Sequence, residues 1–511
     1  MAEHDHPAKA LKDFEQRLAR GSDAERGEAV ARRHARGYRT ARENLADLLD
    51  DDTFVEYGGL AVAAQRGRRS YEELQRETPA DGVITGIGSI NGEFVIAERA
   101  RTAVVMYDYS VLAGTQGFFH HAKIDRLLEV AARQKLPTVM FTEGGGGRPG
   151  DTDVTTQIAG LNVPTFARWA SMNGAAPRIA VNNGYCFAGN AALFGAADLR
   201  IATRSSNIGM AGPAMIEGGG LGSFAPQDIG PAEMQYRNGL IDCLVDDEAA
   251  ATRMARRLLW YFQGDVTPAP ATAAVSLRDA LPADRRWGYA VRPIIETVFD
   301  RDSFTELQRI YGRSVVTGLA RLQGRAVGVL ASDCQQLGGA VDSDAADKAA
   351  RLLRLCNRAG LPVISLVDTP GFMVGPDSEA QGAVQRMSAL FEASATMQTP
   401  QLAVFLRKAY GLGAMALVGG GFAVPDYAVA WPTGEFGGMG LEGAVRLGFR
   451  KELEAEEDPE RRDALYQSLL AKMYEQGRAQ EAAAHLEIDA VIDPAATRDH
   501  LIQALYHRSP K

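Results

Sequence analysis

The stretch that decides the fold is written twice. Lys123-Ile-Asp-Arg-Leu-Leu-Glu-Val-Ala-Ala-Arg-Gln-Lys-Leu-Pro137 lines up with Lys348-Ala-Ala-Arg-Leu-Leu-Arg-Leu-Cys-Asn-Arg-Ala-Gly-Leu-Pro362, an internal repeat at an offset near 225 residues. Both copies read as a lysine, an amphipathic helix and then Leu-Pro. After each proline comes a short apolar run ending in a carboxylate, Thr138 to Glu143 and Val363 to Asp368, the pattern of a parallel strand buried on both faces. Glycine-rich loops follow, Gly144-Gly-Gly-Gly-Arg148 in one copy and Thr369-Pro-Gly-Phe372 in the other.

Working outward, Thr85-Gly86 through Asn91-Gly92 matches Thr317-Gly318 through Gln323-Gly324, a strand, hairpin and strand in each case. Further strands begin after Pro177 and Pro400. Each runs into a small-residue turn, Gly184-Tyr-Cys-Phe-Ala-Gly189 or Gly411-Leu-Gly413, and then to a helix and another strand after Asp198 or Asp426. Alternating strands and helices predict an α/β layered fold in each half. The predicted boundaries are a first domain over 1–263, a loop-rich linker over 264–284 and a second domain over 285–511. Surface helices are expected over 7–50, and a solvent- or partner-facing helix from Glu452 to Gln476.

A chain of 511 residues, 46% hydrophobic, has room for two cores. Its 55 basic and 64 acidic residues leave a net charge of -9, which excludes a nucleic-acid partner held by the global field; the basic run from Arg32 to Arg39 is read as structural or ligand-facing. The cysteines at 186, 243, 334 and 356 form no C-x-x-C pair, so neither a zinc ribbon nor a disulfide framework is indicated. The start lacks an apolar signal region, and no run of about 18 apolar residues occurs. A cytoplasmic protein without a membrane segment is expected.

No P-loop, H-E-x-x-H or G-x-S-x-G string is present, so no side-chain nucleophile is advertised. The adjacent His120 and His121 point to different faces of a helix, and no metal is expected. The small-residue turns instead place backbone N–H groups where a strand meets a helix, without intrahelical partners. Such a turn can hold an oxyanion.

The ordered segments resemble the carboxyltransferase β subunits of biotin-dependent acyl-CoA carboxylases. They run from Gly37 to Glu43, Leu48 to Glu56, Asp81 to Gly86, Tyr107 to Val111, Gly144 to Arg148 and Gly184 to Gly189 in the first half. The second half supplies Ala346 to Arg351, Val367 to Phe372, Arg407 to Gly411, Ala430 to Thr433 and Met439-Gly440. The resemblance implies two tandem crotonase-like (ββα-superhelix) domains, the first for acyl-CoA and the second for carboxybiotin. It places one oxyanion pair at Ala188 and Gly189 and the other at Leu412 and Gly413. It assigns coenzyme A binding to Gly145, Gly146, Gly147 and Arg148, and selection of acyl length to Met415.

No Ala-Met-Lys-Met string occurs, so biotin is expected on a partner chain carrying biotin carboxylase and biotin carrier modules. The family's hexamer, a trimer of dimers with sites shared between subunits, is implied as well. The implied reaction moves a carboxyl group from carboxybiotin to the α-carbon of an acyl-CoA. The alternatives are a biotin-dependent decarboxylase subunit and a catalytically silent assembly subunit. Departures from the family strings at Glu143 to Gly147, Met387 to Ala389 and Gly411 to Met415 leave the acyl substrate open.

Overall fold

A computed structural model describes residues 7–154, 162–174, 176–271 and 275–506. The chain divides into two compact units, Met1–Gly264 and Asp265–Lys511. Of the stretch 264–284 read as a linker, the described residues from Asp265 onward therefore belong with the second unit, where Leu277 is buried in the core. Residues 272–274 of that stretch lie outside the described residues.

The strands of the first unit are β1 (Val55–Tyr57), β2 (Val83–Ser89), β3 (Arg101–Tyr107), β4 (Thr138–Phe141), β5 (Arg178–Asn182), β6 (Tyr185–Phe187), β7 (Leu199–Thr203), β8 (Asn207–Gly209) and β9 (Cys243–Val245). They form a seven-stranded sheet in the order β1-β2-β3-β4-β5-β7-β9 and a small β6-β8 pair. Pairing is antiparallel through the β1-β2-β3 meander and parallel from β3 to β9. In the second unit, β10 (Thr305–Leu307), β11 (Val315–Leu322), β12 (Arg325–Ser332), β13 (Val363–Thr369), β14 (Gln401–Tyr410), β15 (Tyr427–Ala430), β16 (Glu435–Gly437) and β17 (Ala490–Val491) repeat the arrangement. The order is β10-β11-β12-β13-β14-β15-β17, with β16 paired to the far end of β14. One long strand, β14, thus does what β5 and β6 do in two pieces.

The repeated sequence explains the repeated packing. The helices Phe118–Gln134 and Ser343–Ala359 lay Ile124, Leu127, Leu128 and Ala131, or Ala349, Leu352, Leu353 and Cys356, onto the buried core. Each helix carries its lysine inward. Lys123 donates from Nζ to the Val83 carbonyl at 2.5 Å, and Lys348 to the equivalent Val315 carbonyl at 2.7 Å. Burial pushes the two ammonium groups down, to about 8 and about 7. Both helices end in a left-handed residue, Lys135 or Gly360, which turns the chain into Leu-Pro and the next strand.

Among the described residues, no helix is long and apolar enough to cross a membrane. The helices Arg450–Ala455 and Pro459–Gln476 bury none of their residues. Of the N-terminal helices, Ala41–Leu48 packs Leu45 and Leu48 inward, whereas Pro7–Ala19 buries nothing.

Candidate active site

Two backbone brackets, one in each unit, share the same hydrogen bonds. In the first, the loop after β4 pairs with Gln116: Gln116 N–H donates to the Gly146 carbonyl at 2.8 Å, and Arg148 N–H donates to the Gln116 carbonyl at 2.9 Å. In the second, Val341 N–H donates to the Gly371 carbonyl and Met373 N–H to the Val341 carbonyl, both at 2.9 Å. The residue bracketed in between is Gly147 in one case and Phe372 in the other. Neither Gly147 nor Phe372 has an acceptor for its N–H among the described residues.

The second wall of each site is a helix start. β6 pairs with β8 as Tyr185 to Asn207 and Phe187 to Gly209, and β14 pairs with β16 as Lys408 to Glu435 and Tyr410 to Gly437. The next residues, Ala188 and Gly411, both take positive φ (52° and 59°) as the chain swings into the helices Gly189–Gly195 and Gly411–Ala416. Ala188 and Gly411 are therefore structural equivalents, and so are Gly189 and Leu412, and Asn190 and Gly413.

That register changes the expected donors. The Ala188 N–H already donates to the Gly209 carbonyl at 3.0 Å, so it has no proton left for an oxyanion. The Gly189 and Leu412 N–H groups have no acceptor among the described residues. Gly413 is buried, and a Cβ there would lie 2.6 Å from Phe372 N; its lack of a side chain lets the helix start close onto the bracketed loop. Gly413 N–H likewise has no acceptor among the described residues; matched by register, the open groups are Gly147 with Gly189, and Phe372 with Leu412.

A cavity of about 970 Å³ opens over the first pair, lined by Gly145, Gly147, Ala188 and Gly189 among others. Its apolar wall includes Phe166, Phe187, Val163 and Met215. Gly145 and Gly146 line or underlie this loop with their own N–H groups engaged, the first with the Ala113 carbonyl at 3.1 Å and the second with Asn190 Oδ1 at 3.0 Å. Arg148 also lines the cavity, with its guanidinium held by Asp81 at 2.5 Å and Asp151 at 3.0 Å and 6% exposed. It braces the loop from below. Burial pushes the Asp81 carboxyl up to about 6, against the pull of Arg148.

Two further residues line the cavity: His121, which the sequence raised only as a metal ligand and set aside, and Gln116, which it did not single out. His121 accepts or donates a hydrogen bond to Thr165 Oγ1 at 2.9 Å, and burial pushes its imidazole down to about 4, so it is neutral at neutral pH. His120 sits deeper, with Nδ1 at 3.0 Å from the Asp81 carbonyl. Gln116 presents its carboxamide to the same cavity. Among the described residues, no group of three or more His, Cys, Asp or Glu side chains is placed to hold a metal ion.

Behind each donor turn a buried carboxylate meets an arginine. Glu143 is paired with Arg33, with one contact of 2.9 Å and a shorter one from Nη2 to Oε2, and Arg33 also reaches Glu248 at 3.6 Å. Burial pushes Glu143 above the usual carboxylate range while Arg33 opposes it. Asp368 holds Arg407 at 3.0 Å and accepts the Lys408 N–H at 3.1 Å. The basic run at Arg32 to Arg39 thus contributes a core ion pair through Arg33. In the second unit, Met415 lines a cavity of about 340 Å³ with Gly411, Phe422 and Phe436.

Backbone N–H groups without acceptors thus stand at the ends of parallel strands in both units. Residues 32–509 match the carboxyl transferase domain family, and the chain belongs to it. The methylmalonyl-CoA carboxyltransferase 12S subunit of Propionibacterium freudenreichii subsp. shermanii is 31% identical over 495 residues, covering 93% of this chain and 90% of that protein. A solved single-chain, multi-domain long-chain acyl-CoA carboxylase is 50% identical with a TM-score of 0.91, covering 97% of this chain; the chain spans 48% of that one. The transcarboxylase 12S hexamer, solved with methylmalonyl-CoA bound, is 28% identical with a TM-score of 0.87 and covers all of this chain. Both units have the crotonase-like architecture of these carboxyltransferases.

Proposed function

We propose that this chain moves the carboxyl group of carboxybiotin, presented by a biotin-carrying partner, to the α-carbon of an acyl-CoA. The observation that carries the reading is the duplicated bracket, which leaves a loop N–H and a helix-start N–H open in each unit. Gly147 and Gly189 stabilise the negative charge that develops on the thioester oxygen when the α-carbon is deprotonated. Phe372 and Leu412 stabilise the charge on the ureido oxygen at the other substrate. Biotin supplies the carboxyl group and, once relieved of it, the base. Preorganised N–H donors at a site that excludes water are worth far more than the same groups in solvent.

The acyl group is longer than propionyl. The first-unit cavity of about 970 Å³, with Phe166, Phe187 and Met215 in its wall, supports this, as does the 50% identity to a long-chain acyl-CoA carboxylase. A cytoplasmic hexamer, built as a trimer of dimers, has each site shared between the first unit of one chain and the second unit of another. Met415 then reaches the acyl group from the second unit, and its flexible thioether accommodates more than one chain length. Met415→Asp should shift the ratio of kcat/KM between acetyl-, propionyl- and longer acyl-CoAs; an unchanged ratio in a folded variant counts against that role.

The test of the reaction is reconstitution. Purified alone and freed of biotinyl proteins with avidin, the chain should bind acyl-CoA yet fix no bicarbonate with ATP. Adding a biotinylated carboxylase partner should produce carboxylated acyl-CoA, and avidin should block it. Bicarbonate fixation by the avidin-treated chain would overturn the proposal.

A further inference from the structure

The two brackets differ at their central residue. In the second unit it is Val341, fully buried and apolar; in the first it is Gln116, 5% exposed. A buried carboxamide is costly unless its hydrogen bonds are made. Gln116 makes one of them: Nε2 donates to the Tyr107 hydroxyl at 2.8 Å. Tyr107 is itself 3% exposed and packed against the His120 ring, with centroids 4.6 Å apart, so the anchor is fixed. The other end, Oε1, receives no hydrogen bond from the described residues. It lies against Gly189, 2.2 Å from where a Cβ on that glycine would stand.

Gln116 therefore touches both open donors. Its main chain pairs on either side of Gly147, and its side chain, held by Tyr107, closes over Gly189. We propose that Gln116 is a positioning residue that sets the spacing of the Gly147 and Gly189 N–H groups, with Tyr107 fixing its carboxamide. This rests on the reading of those two groups as the acyl-side oxyanion donors. Valine suffices in the second unit because there the helix start packs directly on the bracketed loop: a Cβ on Gly413 would stand 2.5 Å from the Gly371 carbonyl carbon. In the first unit the equivalent position is Asn190, whose Oδ1 accepts from Gly146 N–H, and the Gln116 carboxamide adds a further contact at Gly189 itself.

Gln116→Val copies the second unit and keeps the backbone bracket; Tyr107→Phe removes only the anchor. Both are assayed in the complex with its biotinylated partner. A misplaced oxyanion donor weakens the transition state and leaves ground-state binding alone, so Gln116→Val should lower kcat about tenfold with the acyl-CoA KM unchanged within about twofold. Tyr107→Phe should lower kcat in the same direction, and the double variant should be no worse than Gln116→Val. A thioether analogue of the acyl-CoA, which lacks the carbonyl oxygen, should bind Gln116→Val and the unaltered chain with equal Kd. An unchanged kcat in Gln116→Val, or an equal loss of affinity for thioether and thioester, overturns the proposal. Gly189→Pro separates it from the reading beneath: full activity there sinks the donor assignment itself, whereas an inactive Gly189→Pro beside an unaffected Gln116→Val sinks only the role of Gln116.

Discussion

The donor turns of the two units show what a duplicated fold retains and what it lets drift. Both keep the parallel bracket, the positive φ at the helix start, and unclaimed N–H groups on the loop and at the helix start. The side chains around them share little. Gly147 corresponds to Phe372, Gln116 to Val341 and Ala188 to Gly411, and the carboxylate behind the turn is neutralised by Arg33 of an N-terminal helix in one unit and by Arg407 of its own neighbouring strand in the other. Main-chain geometry is the conserved chemistry of this molecule.

The comparison can be broken first at the ion pairs. Removing one partner of a buried pair leaves an uncompensated charge and costs about 3–5 kcal/mol. Arg33→Met should fall at the upper end, because it strands Glu143 beside Glu248, whereas Arg407→Met leaves Asp368 the Lys408 N–H and a side-chain nitrogen at 3.9 Å. Chemical denaturation of the two variants checks the order; a smaller loss for Arg33→Met contradicts it.

The helix starts give the next largest effect. Gly411→Ala places a Cβ 2.9 Å from the Gly438 carbonyl oxygen at a left-handed φ and should cost about 1–3 kcal/mol. Ala188→Gly makes the reverse change where an alanine already bears that strain, and should be neutral or stabilising by up to about 1 kcal/mol. Melting temperatures of the pair report the difference, and equal shifts of one sign would refute the equivalence.

A third effect is a pH dependence. Lys348 titrates near 7 in the folded protein against an ordinary value of 10.5, so between those limits the unfolded chain holds more protons and stability rises with pH. For Lys123, at about 8, the rise begins later. Stability measured from pH 7 to 10 should therefore climb less steeply in Lys348→Met than in the unaltered chain, and Lys123→Met should flatten a narrower window. Parallel curves for all three proteins would contradict the burial argument.

Much of this was legible in the sequence because hydrophobic periodicity and the Lys-to-Pro spacing are local signals. They specify the helices Phe118–Gln134 and Ser343–Ala359 and the strands that follow. The small-residue turns that lead into helices were legible, with the register between the two copies off by one residue. The slip arose because β14 runs unbroken while Asn183 and Gly184 interrupt β5 and β6, a difference that only strand pairing reveals. Gly147 and Phe372 could not be paired as donors beforehand, since an N–H belongs to any residue and its availability depends on distant acceptors. The ion pair of Arg148 was not legible because Asp81 lies far upstream, and Gln116 went unnoticed because the loop it pairs with follows only after a helix and a strand.

The central claim is that each unit supplies its own donor pair to one substrate. Gly189→Pro and Leu412→Pro each delete one open N–H near the start of a helix, where proline is tolerated. After folding is verified by circular dichroism, each variant is assayed with the biotinylated partner, and acyl-CoA binding is titrated separately. The account predicts that both lose about 10²–10³ in kcat, while Leu412→Pro binds acyl-CoA as tightly as the unaltered chain. Wild-type turnover in either variant, or acyl-CoA affinity lost in Leu412→Pro, would contradict it.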